Sequence, residues 1–220
     1  MPLLIPRPGR VGSGIMKVFD GNGDGYPDLL ASSTYLQIAT QTDADSIDTL
    51  NYYEYDPNDG RFKNRTIEKF GNSSFGALVR KIRFADINVD GIDDIIFSSN
   101  REDGRLTAPG NSNMGASNDV FISNLNGGFS NFKVGEPAWS HDVGIADIDM
   151  DGVFEILDGN YGQGTRIYDI SADGSWIETT SQTNYTLAYD ANSTALADFD
   201  GDGCIDTLAT RQWPETQDRS

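Results

Sequence analysis

The chain has 220 residues, 34 acidic against 16 basic side chains and a formal charge of −18. That length supports one sizeable core, and so acidic a balance excludes a surface built to bind a nucleic-acid backbone. One cysteine, Cys204, excludes both an internal disulfide framework and a cysteine-rich zinc site. The first ten residues, MPLLIPRPGR, carry an apolar patch broken by Pro6 and Pro8, without the long apolar stretch of a signal peptide. No apolar run approaches the roughly 18 residues that span a bilayer, so direct membrane insertion is not expected. Short β-prone runs between Gly, Asn and Asp clusters predict an all-β chain with many tight turns.

Along the chain, one nine-residue pattern occurs four times: DGNGDGYPD from Asp20, DINVDGIDD from Asp86, DIDMDGVFE from Asp147 and DFDGDGCID from Asp198. Calcium is a hard cation that takes six to eight oxygens at roughly 2.3–2.6 Å. Oxygens at alternate positions of a curled loop converge on one point, and a glycine at the sixth position permits the sharp turn. The predicted ligands are Asp20, Asn22, Asp24, the Tyr26 carbonyl and Asp28 in the first loop, and Asp86, Asn88, Asp90, the Ile92 carbonyl and Asp94 in the second. The third loop offers Asp147, Asp149, Asp151, the Val153 carbonyl and Glu155, and the fourth Asp198, Asp200, Asp202, the Cys204 carbonyl and Asp206. About four Ca²⁺ per chain are therefore expected, and much of the acidity is then ligand.

An EF-hand shares the first half of this loop but needs a bidentate Glu at position 12 and flanking helices. Position 12 is Ala31, Phe97, Asp158 and Ala209, and the flanks, such as Lys81 to Phe84 and Ile95 to Phe97, read as strands. Downstream of each of the first three loops, a β-prone run leads into a Gly-x-aromatic turn: Gly60-Arg61-Phe62, Gly127-Gly128-Phe129 and Gly174-Ser175-Trp176. Each unit thus reads as strand, calcium loop, strand, longer loop, strand, tight turn, strand. That is a four-stranded antiparallel sheet, which must stack on neighbours to bury its faces.

These residues resemble the FG-GAP repeats of integrin α-subunits and the related VCBS repeats of secreted bacterial proteins. Phe75-Gly76-Ala77-Leu78 leading to Asp86 is similar to the family's Phe-Gly opening, strand and D-x-N-x-D-G-x-x-D loop. The resemblance implies β-propeller blades at approximately 14–70, 75–134 and 139–183, with a partial blade at 192–212, and calcium ligands at the loop positions named above. Family propellers have seven or eight blades, so the expectation is an incomplete propeller, a fragment, or a piece completed by self-association or by a second chain.

The resemblance implies an extracellular or cell-surface recognition or adhesion module, stabilised by calcium and non-catalytic, with a protein or glycan ligand. The alternatives are the propeller part of a secreted polysaccharide lyase or hydrolase, and a structural spacer. The rim opposite the calcium loops carries the long insertions, about residues 33–48 and 99–116, and long loops on a rigid scaffold are where binding concentrates. Tyr35, Arg101, Arg105, Trp139 and Tyr161 are the candidate ligand contacts there. His141, the single histidine, is read as capping or packing a strand, and no lyase base with charge-neutralising partners is assembled from it and scattered lysines. Sequons at Asn64, Asn72, Asn184 and Asn192 permit glycosylation in a eukaryotic secretory route.

Overall fold

The computed structural model describes residues 12–35, 49–71, 79–99, 116–160, 164–180 and 191–211. Three four-stranded antiparallel sheets and one two-stranded sheet follow one another along the chain, each meandering in sequence order. The first holds β1 (Gly12–Phe19), β2 (Asp28–Tyr35), β3 (Thr49–Asp56) and β4 (Arg61–Asn64). The second holds β5 (Val79–Ala85), β6 (Asp94–Ser99), β7 (Ala116–Ser123) and β8 (Phe129–Ala138). The third holds β9 (Ser140–Ala146), β10 (Phe154–Asn160), β11 (Arg166–Ile170) and β12 (Trp176–Glu178), and the last β13 (Ala191–Ala197) and β14 (Asp206–Arg211).

The sheets stack face to face as blades, as the repeat predicts. Alternation along β6 shows why: Ile95 and Phe97 join a core with Phe19, Leu30 and Tyr52 of the first sheet, whereas Ile96 joins Val143, Ile156 and Tyr168 of the third. Both faces of the second sheet are therefore covered, and β6 is buried throughout. A smaller core of Ile148, Leu157 and Ile167, with Leu196 against it, joins the third sheet to the last. The first strands of successive sheets, β5, β9 and β13, pack side by side, which places them innermost.

The tight turns fall where the Gly-x-aromatic markers predict. Gly60 donates its N–H to the Asp56 carbonyl at 2.8 Å, and Gly127 and Gly174 close the equivalent turns onto Asn124 and Ser171 at 2.9 Å. Gly174 has φ 80°, and a Cβ there would lie 2.3 Å from the Phe132 ring, so glycine is required twice over.

One element departs from the all-strand expectation. Thr66–Phe70 forms a single helical turn, α1, after β4. Its Phe70 stacks on Phe129 at 5.2 Å and meets Phe121 edge-on at 5.1 Å, filling the gap between the first two sheets. No helix among the described residues is long and apolar enough to cross a membrane.

Candidate functional site

Each nine-residue loop joins the first strand of a sheet to the second, so all four lie on one rim. Their internal hydrogen bonding repeats closely. In every loop the sixth-position glycine donates its N–H to the first aspartate: Gly25 to Asp20 and Gly91 to Asp86 at 2.8 Å, Gly152 to Asp147 at 3.0 Å and Gly203 to Asp198 at 2.9 Å. Those glycines have φ of 84°, 88°, 90° and 92°. The seventh-position N–H then donates to the fifth-position carboxylate, at 2.9 Å from Tyr26 to Asp24 and 2.8 Å from Ile92 to Asp90, Val153 to Asp151 and Cys204 to Asp202. With that N–H turned to the carboxylate, the loop curls as the spacing requires.

The ninth-position acid is the buried end of the first three loops, at Asp28, Asp94 and Glu155, whereas Asp206 in the fourth is half-buried. Asp28, Asp94 and Asp206 accept the N–H of the second loop residue at 3.2, 2.8 and 3.0 Å, and Glu155 accepts that of Ile148. Asp28 also accepts from the Tyr52 hydroxyl and, at 2.9 Å, from the Tyr55 N–H, while Asp94 accepts from the Ser123 N–H at 2.7 Å. Glu155 thus takes the place of the shorter aspartate and still reaches the same backbone donor.

The loops divide at the third position. Where it is Asn, the amide offers a donor: Asn22 Nδ2 lies 3.0 Å from Asp24 Oδ2, and Asn88 Nδ2 lies 3.1 Å from Asp90 Oδ2. Ser123 adds a hydroxyl donor to Asp90 at 2.7 Å. Where it is Asp, no such donor exists, and carboxylates converge instead. Asp147, Asp149, Asp151 and Glu155 each bring an oxygen within 4.8 Å of the others, as do Asp198, Asp200 and Asp206. Asp147 Oδ1 is buried and accepts no hydrogen bond from the described residues.

Such crowding leaves its mark on protonation. Burial above all, with Asp149, Asp169 and Asp147 nearby, outweighs the Ile148 N–H and pushes Glu155 up to about 7. Burial also raises Asp28, Asp94 and Asp158 above the usual carboxylate range. The folded chain therefore binds these protons more tightly than the unfolded chain does. Their stabilising effect is full below the unfolded carboxylate pKa and is lost as pH rises through the folded values. In EDTA, the melting temperature should fall as pH rises from about 5 to about 8, and Glu155→Gln should flatten much of that slope. Circular-dichroism melts across that range check both results.

On the opposite rim, where the innermost strands begin, Arg80, Lys81, His141 and Asn192 line an open cavity of about 350 Å³. His141 Nδ1 faces the amide oxygen of Asn192, an acceptor only, which fixes the proton of the neutral ring on Nδ1. Sequence reasoning left His141 as a strand cap beside scattered cations, whereas the fold gathers it with Arg80 and Lys81. Asn192 stood out in the sequence only as a sequon. Of the candidate ligand contacts, Trp139 lies on this rim, half-buried between β8 and β9. Tyr35 closes β2 with its side chain outside the described residues, and Arg101, Arg105 and Tyr161 fall outside them altogether, as do Phe75 and Gly76.

Residues 20–97 match the FG-GAP-like repeat family, the repeat that the loops and strands resemble. No curated protein matches the sequence. Among solved structures, the chain is similar to the exotype rhamnogalacturonan lyase YesX, with 17% identity and a TM-score of 0.51 over 94% of this chain and 41% of that one. It is similar also to rhamnogalacturonan lyase YesW, at 16% identity and a TM-score of 0.52 over 94% and 43% of the two chains. For the Bacillus licheniformis rhamnogalacturonan lyase PL11, identity is 17% and the TM-score 0.50, over 96% and 44%. At such identity the likeness is one of fold, and the chain spans about two fifths of the length of these structures.

Proposed function

We propose that this chain is a calcium-stapled segment of a larger extracellular β-propeller, and that it recognises a carbohydrate ligand on the rim opposite its loops. The observation that carries the metal is Asp147 Oδ1, a buried carboxylate oxygen without a donor from the described residues, among three further acids. Leaving such an oxygen unpaired costs about 1–3 kcal/mol or more, and a hard divalent cation is the partner that an all-oxygen donor set suits. Asp147, Asp149, Asp151 and Glu155 would hold the ion in the third loop, and the equivalent oxygens in the others. The ion neutralises the crowded acids and ties the first strand of each blade to the second. Millimolar calcium outside cells suits sites of this modest kind. A carbohydrate ligand is supported by the likeness to carbohydrate-cleaving proteins of the same fold.

Ligand charge tunes calcium affinity, so the loops with Asp at position three should fill before those with Asn, by about tenfold in calcium concentration. A calcium titration followed by amide NMR should show Gly152 and Gly203 shifting ahead of Gly25 and Gly91. Asp151→Ala should lower bound calcium by about one ion per chain and leave the other loops occupied, because stacked repeats couple mainly to their neighbours. Simultaneous loss of every ion would contradict that independence.

Apolar side chains are exposed at both ends: Met16 and Val18 on β1 are 56% and 61% exposed, and Phe199 of the fourth loop and Leu208 on β14 58% and 57%. A strand edge and apolar faces of this kind seek partners. Self-association of the 220-residue chain, or docking on a second chain that continues the propeller, would cover them. Light scattering across a concentration series in calcium should show mass rising with concentration, and a monodisperse compact monomer throughout would count against it.

A second reading is favoured by the cavity: His141 with Arg80 and Lys81 supplies a base beside cations, the groups that proton abstraction next to a sugar carboxylate needs. On that reading the chain is part of a polysaccharide lyase. Incubation of the calcium-loaded chain with rhamnogalacturonan distinguishes the two readings. A growing ultraviolet absorbance from unsaturated uronate ends indicates the lyase, and binding without such a product indicates recognition alone.

A further inference from the structure

The cavity on the rim opposite the cation loops is built by a repeated irregularity of the sheets. Arg80, His141 and Asn192 each stand six residues before the first aspartate of their loop, at Asp86, Asp147 and Asp198. Each is also the extra residue of a β-bulge. Pairing passes from Val79 with Ser99 to Lys81 with Ser98, omitting Arg80. It passes from Asp142 with Gly159 to Ser140 with Asn160, omitting His141, and from Ala191 with Arg211 to Ser193 with Thr210, omitting Asn192. The first sheet pairs in regular register from Gly12 to Phe19 and has Gly14 at the equivalent position. A bulge frees one side chain from the pleat and re-aims it, and bulges concentrate beside functional sites. Three consecutive innermost strands therefore turn their equivalent residues into a single cavity, and β5 adds Lys81.

The chemistry of that set is cationic and hydrogen-bonding within a chain of net charge −18. A guanidinium and an ammonium side by side match a carboxylate, and an imidazole held by an amide matches the hydroxyls around it. We propose that the three bulges form a binding site for the carboxylate of a uronic-acid unit in an acidic polysaccharide, with Arg80 and Lys81 on the carboxylate and the His141–Asn192 pair on the neighbouring hydroxyls. This rests on the carbohydrate reading above and gives it a site and a charge.

Trigalacturonate is the probe, measured by saturation-transfer NMR and calorimetry on the full chain at low ionic strength, in calcium and in EDTA. Binding should weaken about tenfold in Arg80→Gln and again in Lys81→Gln, each losing a charge-assisted contact. Asn192→Asp, which sets a like charge in the cavity, should weaken it at least as much. Arg61→Gln, on the turn of the other rim, should leave it unchanged, and methyl-esterified trigalacturonate should bind weakly to every form. Melting curves matching the parent show that each variant is folded. Equal binding of the ester, or binding indifferent to Arg80, Lys81 and Asn192, would overturn the site, as would trimeric aspartate peptide binding as tightly. If calcium leaves the melting temperature unmoved while these variants still lose trigalacturonate, the cation reading fails and the cavity stands. The converse result removes the cavity and keeps the cations.

Discussion

In EDTA the melting temperature of this chain should fall by roughly 10–25 °C from its value in about 1 mM calcium, with magnesium a poor substitute. The size follows from linkage. At an extracellular-type affinity near 10⁻⁴ M, about 1 mM calcium stabilises each site by roughly 1.4 kcal/mol, and four sites together by about 6 kcal/mol. That is comparable to the whole stability of a domain, and a chain of this size shifts by about 2–4 °C per kcal/mol. The repulsion behind it is visible in the third loop, where Asp147, Asp149, Asp151 and Glu155 face one another and Asp147 Oδ1 lacks a donor among the described residues. Calorimetric scans in calcium, magnesium and EDTA check it. A melt unchanged in EDTA, with metal analysis showing the ions gone, would reject a stapling role for calcium.

Sequence reasoning reached the loops because their chemistry and their geometry coincide. Asp at alternate positions and Gly25, Gly91, Gly152 and Gly203 at the sixth are both the chemical signal and the cause of the turn, and all four adopt positive φ. The hairpins were legible for the same reason at Gly60, Gly127 and Gly174. The difference between loops was written at position three but not its consequence, which depends on where an Asn amide turns within a folded loop. The cavity was hidden because Arg80, His141 and Asn192 share a position in the repeat and no chemical type. A pattern search by residue class passes over them, whereas their common distance from the loop aspartate, once the bulges are known, identifies them. The helical turn α1 is too short for any periodicity. It exists because Asn64 Oδ1 accepts the Thr66 N–H at 3.0 Å and Phe70 completes the core between two sheets.

Asp142 carries the longest-range consequence, and Asp142→Ala should destabilise the calcium-loaded chain by about 3–5 kcal/mol. Its carboxylate is fully buried and serves three consecutive innermost strands. One oxygen accepts from Arg83 Nη2 of β5 at 3.0 Å and from the adjacent Val143 N–H at 2.9 Å. The other accepts from the Ser193 hydroxyl at 3.0 Å and the Thr194 N–H at 2.8 Å, both on β13. Removing it leaves two backbone donors, a hydroxyl and a guanidinium in the inner wall without their acceptor, which is costlier than never having had the pair. At about 2–4 °C per kcal/mol the melting temperature should drop by roughly 6–20 °C. Arg83→Met should cost less, because the carboxylate it leaves behind keeps three donors and Arg83 is partly open to water. Asp142→Asn should fall between the two, since the amide oxygen accepts from only one side and its NH₂ group turns toward donors. Asp142 lies five residues before the third loop, so bound calcium at low temperature should stay near the parent value in all three variants. Melts and metal analysis on the same samples separate the two effects. If Arg83→Met proves as damaging as Asp142→Ala, the ion pair alone holds the strands, and the contacts to Ser193 and Thr194 are incidental.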